Sequence, residues 1–172
     1  MSTPPGEREV LRELPLFKGL ADDELDLMVA IMDEVALPKG LVLFREGTLA
    51  NSLYIVCSGA IEIFHQNADG TRAVVATLEQ GSCLGEMGLV RSSTRALSAS
   101  ATVNASLWVL KRDKLETLSL KEPRLWGKVL LNIASILADR VEALDRQVAR
   151  LSSREDGPAE GKRGFLWRLL GG

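Results

Sequence analysis

Residues 52–78 read SLYIVCSGAIEIFHQNADGTRAVVATL, and this stretch decides the fold. Its three apolar runs, SLYIVCSG, AIEIFH and AVVATL, are rich in β-branched and aromatic residues and too short for helices. Gly59 separates the first two, and Asp69-Gly70 marks a hairpin turn where glycine accepts the positive φ that tight connections need. The same pattern continues on both sides, with LVLF and Gly47 upstream and Gly81 and ASLWVL downstream. Residues 41–110 therefore read as short strands alternating with turns. Strands of this length and spacing predict an antiparallel sandwich or jelly roll rather than βαβ units.

Helices are expected on both flanks. From Asp22 to Val35, Leu25, Met28, Val29 and Met32 recur at helical spacing, with acids in the first turn that suit the helix dipole. Pro38, Lys39 and Gly40 end that segment, and Leu16 and Phe17 are expected to pack beneath it. Residues 1–9, with Pro4, Pro5 and Gly6 among charges, are expected to be disordered. After Asp113 comes DKLETLSL, a break at Pro123 and a long helical segment. Within it Leu130, Leu137, Leu144 and Leu151 recur every seven residues, and Ala134, Val141 and Val148 sit three positions before the last three. Small or β-branched residues at a with Leu at d favour two parallel strands, and Arg140 and Asp145 fall where a partner helix would pair them. Two readings stand: a homodimer through helix 125–151, or an amphipathic helix packed on its own domain.

The 172 residues, 46% hydrophobic and 26% charged, suit one globular domain with modest attachments. A net charge of −2 gives the whole chain no electrostatic footprint for nucleic acid. Cys57 and Cys83 have no zinc spacing and only one His, His65, for company, so no metal site is expected. They read as two free thiols in a reducing cytoplasm. The N-terminus has no apolar core for a signal peptide, and no apolar run approaches the roughly 20 residues that cross a bilayer. One His and two distant thiols offer no catalytic constellation, so no enzyme is expected.

The chemistry concentrates in residues 85–100, GEMGLVRSSTRALSAS. Glu86 lies between Gly85 and Gly88, where backbone approaches a ligand without Cβ interference. Successive N–H groups in such a turn form an anion-binding concavity. Arg95 adds a fork of donors that matches phosphate oxygens in pairs. Together they suit a molecule carrying a phosphate and hydroxyls. On residue chemistry alone, an ion pair between Glu86 and Arg95 across a turn is an equally open reading, and Arg91-Ser92-Ser93-Thr94 also resembles a basophilic kinase site.

The order GSCLGEMGLV…TRALS resembles the phosphate-binding cassette of cyclic nucleotide-binding domains, of the catabolite activator and protein kinase A regulatory subunit type. That cassette usually runs Phe-Gly-Glu-aliphatic-Ala-aliphatic, a turn, then Arg-Ala-Ala-Thr. The resemblance covers residues 10–151, with the jelly roll over 41–110 and C-terminal helices over 113–151, and includes Gly47 and Gly59. It implies a mostly β fold with an N-terminal helix and a C-terminal helical lid. By position, Glu86 would bind the ribose 2′-hydroxyl and Arg95 the cyclic phosphate, with backbone amides near Gly85, Met87, Gly88 and Ala96 completing the contacts. Leu84 stands where an aromatic is common, Gly88 replaces Ala, and Leu97-Ser98 replaces Ala-Thr, which bears on pocket shape. Ala96, where a Ser or Thr would favour guanine, points to cAMP over cGMP. Leu137, Arg140 and Leu144 are the candidate lid residues.

The resemblance implies a receptor module without catalysis, signalling through its C-terminal helix to a separate partner. A ligand-free dimerisation or scaffold module is the alternative. Transcription factors of this type add a winged helix-turn-helix, whereas 21 residues follow Leu151 here, so direct DNA binding is not expected. Residues 152–172 read as a flexible linker and a short basic-amphipathic tail. Lys162, Arg163 and FLWRLL (165–170) suit a protein groove, an anionic membrane surface or packing on the domain itself.

Overall fold

The computed structural model describes residues 5–155, and side chains over 9–150. Helix α1 (Pro5–Glu13) and a 3-10 turn (Pro15–Phe17) precede α2 (Asp22–Ala30). The strands follow as β1 (Asp33–Leu37), β2 (Val42–Phe44), β3 (Leu49–Ala50), β4 (Ser52–Ser58), β5 (Ala60–Gln66), β6 (Arg72–Glu79) and β7 (Cys83–Leu84). A single helical turn, α3 (Met87–Val90), separates these from β8 (Ser93–Thr94), β9 (Ser98–Ala101) and β10 (Ala105–Lys111). Two helices, α4 (Arg112–Lys121) and α5 (Pro123–Glu155), come last. Contacts divide the chain into two units, residues 1–134 and 135–172.

Every strand pair is antiparallel. One sheet runs β1-β10-β4-β7, a second β2-β9-β5-β6, and β3 pairs with β8 alone. Leu37, Val56, Leu84, Ala105 and Leu107 of the first sheet meet Ile61, Ala99 and Ala101 of the second in one buried cluster. Two open sheets across one core make a jelly-roll-like sandwich rather than a closed barrel. At the corner between β4 and β5, Gly59 has φ 82°, and a Cβ there would overlap Asn104 O and lie 2.7 Å from Ala105 Cα. The hairpin expected at Asp69-Gly70 forms, but across a longer loop: Asn67 N–H donates to Thr71 O at 2.9 Å and Gly70 takes φ 86°.

Three boundaries differ from the sequence expectation. The helix expected over Asp22–Val35 ends at Ala30, because Asp33–Leu37 pairs with β10 from Asp33↔Val109 to Leu37↔Ala105. A helical apolar spacing is overridden there by an open strand edge. Residues 5–9, expected to be disordered, belong to α1, which Pro5 opens and the buried Leu11 anchors. Pro123 breaks the helical segment as expected, yet stands inside α5 as its first residue, where proline is tolerated. Residues 1–4 and the tail over 156–172 lie outside the described residues.

The first turns of α5 are tied to the N-terminal segment. Asn132 Nδ2 donates to Leu16 O and Lys18 O at 2.9 and 3.0 Å, and Lys128 Nζ reaches Glu24 at 2.7 Å. Glu24 also accepts the Ala21 N–H at 2.8 Å. Lys128, then the Ala21 amide, hold the Glu24 carboxyl below its usual range. A lowered folded pKa contributes stability above the unfolded value of about 4.5, lost as pH falls through the folded value. Because Lys128 is half exposed, Lys128→Ala is expected to destabilise by only about 0.5 kcal/mol at neutral pH. Urea titrations of both forms should show that difference shrinking as the pH falls below about 4.5.

Candidate functional site

Strand β7 delivers the chain to Gly85, whose φ of 85° turns it directly into Glu86 and α3. Glu86 is the residue before the helical turn and is 2% exposed; Arg95, just after β8, is 6% exposed. Two opposite charges are thus buried in one small region, and unpaired burial of either is expensive. The structure brings Gly85 and Arg95 into contact, since a Cβ on Gly85 would occupy the position of Arg95 Nη1 and lie 2.7 Å from Ser52 O. Gly88 is equally confined, with its missing Cβ 2.9 Å from the carbonyl of Ala50. Both glycines are needed for close approach, the second without any unusual φ.

Arg95 is held in place on several sides. Its Nη2 donates to Ser52 O at 2.7 Å, and its guanidinium carbon lies 4.2 Å from the Phe44 ring centre and 5.4 Å from that of Tyr54. Such stacking orients a guanidinium without neutralising it. Its backbone is clamped to the 45–48 turn: Arg95 N–H donates to Thr48 O, and Gly47 N–H donates to Arg95 O, both at 2.8 Å. Nε is buried without a hydrogen-bond partner among the described residues. Desolvation pulls the guanidinium's pKa below its ordinary value, while Tyr54 and the charge of Glu86 push it back up. The result is a fixed cation with donor capacity left over.

Met87 and Ala96, the other expected contacts, are exposed beside the buried pair. Leu137, Arg140 and Leu144 stand on α5 beyond Ala134, in the second unit; Leu137 is half-buried and the other two are exposed. Sequence reasoning missed Ser52, Phe44, Tyr54 and Arg112. The first three sit in strands where their pattern signals only packing. Arg112, at the head of α4, donates from Nε to Gly88 O at 2.8 Å and from Nη2 to Gly88 O and Arg91 O. His65 pairs with Glu46 at 2.7 Å. Among the described residues, no group of three or more His, Cys, Asp or Glu is placed to hold a metal. Nor is any helix there long and apolar enough to cross a membrane.

A buried carboxylate and a buried, oriented guanidinium beside the Gly85 turn give this region the chemistry to receive a small anionic ligand with hydrogen-bonding groups. The model of the cyclic nucleotide-binding domain family matches residues 34–122, which span β2 to β10, all of β1 but its first residue, and the buried pair. The chain belongs to this family. It is 33% identical over 141 residues to the cyclic AMP receptor protein of Thermus thermophilus, covering 82% of this chain and 63% of that one. It is 32% identical over 141 residues to the cAMP-dependent protein kinase regulatory subunit of Blastocladiella emersonii, covering 81% of this chain and 32% of that one. The crystal structure of the Thermus thermophilus catabolite activator protein superposes with a TM-score of 0.70 at 33% identity, over 80% of this chain and 63% of that one. The chain thus spans less than two thirds of the length of these relatives.

Proposed function

We propose that the chain is a cAMP-responsive regulatory module. The observation that carries this reading is the pair of buried, opposite charges, Glu86 and Arg95, beside the Gly85 turn within the family's matched region. Arg95 and the amides near Gly85, Met87, Gly88 and Ala96 take the cyclic phosphate. Glu86 accepts a hydrogen bond from the ribose 2′-hydroxyl, which a carboxylate at 2% exposure makes strongly because little water competes. The absence of a hydroxyl at Ala96 favours adenine over guanine. The names of the two relatives, a cyclic AMP receptor and a cAMP-dependent kinase subunit, support the same ligand.

Signalling then follows from differential affinity: a ligand shifts a two-state element only as far as it prefers one state. The C-terminal helix is that element, with Leu137, Arg140 and Leu144 as lid residues. Val141, Leu144 and Val148, exposed at 57%, 59% and 56%, supply an apolar seam for a second copy through helix 125–151. Output goes to a separate partner in the cytoplasm, and the basic-amphipathic segment 162–170 is the contact to a protein groove or an anionic membrane.

The role of Glu86 is tested by calorimetry with two ligands. Glu86→Gln should weaken cAMP about tenfold or more, since hydrogen bonds to charged groups contribute about 1.5–3 kcal/mol. The same variant should weaken 2′-deoxy-cAMP far less, because the carboxylate's partner is already gone. Equal losses for both ligands would exclude the ribose contact.

A further inference from the structure

We propose that Arg112 is a positioning residue that couples the cassette turn to the helix leading into α5; this rests on the cyclic nucleotide reading of residues 85–96. Helix α3 is a single turn, and an isolated turn of helix is not stable, because nucleation fixes several residues for one hydrogen bond. Its C-terminal carbonyls need external donors, and a cation at that end also opposes the negative pole of the helix. Arg112 supplies both. Its guanidinium bonds the carbonyls of Gly88, within α3, and Arg91, the residue that ends it. The grip is rigid at the other end too, since the Arg112 N–H donates to Asn51 O at 2.9 Å, between β3 and β4.

The consequence is mechanical. Gly88 lies against Ala50 of β3, so α3 is pressed from one side by a strand and held at its C-terminal end by Arg112. The N-terminal end of the same turn carries Gly85 and Glu86. Any movement of α3 that seats a ligand therefore shifts the two carbonyls that Arg112 holds. Arg112 is itself the first residue of α4, which reaches α5 through Glu122 alone: Glu122 N–H bonds Leu118 O and Trp126 N–H bonds Glu122 O. A displacement at α3 is passed to α4 by a planar fork bonded to two points, and a point-charge ammonium cannot reproduce that geometry. From sequence, Arg112 reads as an ordinary exposed charge opening a helix.

The test uses the full chain, with hydrogen exchange of residues 86–91 and 112–121 measured with and without cAMP. In the wild type, cAMP should slow exchange in both segments. In Arg112→Ala, residues 86–91 should exchange faster without ligand, cAMP affinity should fall about tenfold, and α4 should lose its response to cAMP. Millimolar methylguanidinium should restore much of the loss, and Arg112→Lys should restore less, neither of which a general loss of packing predicts. If Arg112→Ala does not fold, Arg112→Lys carries the comparison, with α4 responding less than in the wild type. Wild-type affinity together with a wild-type α4 response in Arg112→Ala would overturn the proposal. If the wild type does not bind cAMP, the ligand reading fails instead, and unchanged exchange of residues 86–91 in the ligand-free variant would overturn the positioning role separately.

Discussion

Replacing Arg95 with glutamine is expected to raise the cAMP dissociation constant at least thirtyfold, and by as much as several thousandfold. Truncating one partner of a buried, hydrogen-bonded charge pair costs about 2–5 kcal/mol or more, and each 1.4 kcal/mol is about tenfold. Arg95 meets that condition because it is 6% exposed and oriented by Ser52 O and the rings of Phe44 and Tyr54. Glutamine keeps an amide donor for Ser52 O while removing the positive charge. Folding stability should fall as well, by up to about 3–5 kcal/mol, because the variant loses the cation–π contacts and leaves the Glu86 carboxylate buried without the opposite charge beside it. Arg95→Lys, with charge but no fork, should fall between. Calorimetric titration beside a urea melt separates the two effects. A variant that melts as the wild type and still binds cAMP normally would remove Arg95 from the site.

The second large effect is at Gly85. Gly85→Ala meets two penalties at once: a φ of 85°, strained for an L side chain, and a Cβ placed on Arg95 Nη1 and 2.7 Å from Ser52 O. The backbone oxygen cannot move cheaply, so the guanidinium must leave its seat. We expect about 2–4 kcal/mol of destabilisation, read as a lower urea midpoint, together with a loss of cAMP affinity like that of Arg95→Gln. Gly70 provides the control. It has φ 86° but open space where a Cβ would stand, so Gly70→Ala should lose only about 1 kcal/mol and leave binding intact. Equal effects at both glycines would show that backbone strain alone, not the seat of Arg95, governs Gly85.

The strands were the most readable part of the chain. Alternating apolar runs closed by Gly59, Asp69-Gly70 and Gly81 mark β4, β5 and β6 because short, half-buried strands carry their signal locally. The end of α2 was not readable. Met32 and Val35 continue a helical spacing, and only the distant partner β10, paired from Asp33↔Val109 to Leu37↔Ala105, makes Asp33–Leu37 a strand. The site divides along the same line. Gly85, Glu86, Gly88 and Arg95 lie within one short segment whose residue types suit either a ligand cradle or an ion pair across a turn. What holds Arg95 there comes from elsewhere: Phe44 of β2 and Ser52 and Tyr54 of β4 reach it only after the sheets assemble. Arg112 is hidden for the same reason, since an arginine before an aspartate at a helix start is ordinary until its carbonyl partners are known.

The central claim is that this chain binds cAMP in the folded state through the Glu86–Arg95 site, and a thermal-shift titration of the full chain tests it most directly. A ligand that binds only the folded form raises stability by about 2.7 kcal/mol at a hundred times its dissociation constant. For a domain of this size that corresponds to a rise of about 5–10 °C. We expect that rise with cAMP, a smaller one with cGMP and none with 5′-AMP, which lacks the cyclic phosphate. No shift with any cyclic nucleotide at saturating concentration would contradict the account and leave a ligand-free scaffold in its place.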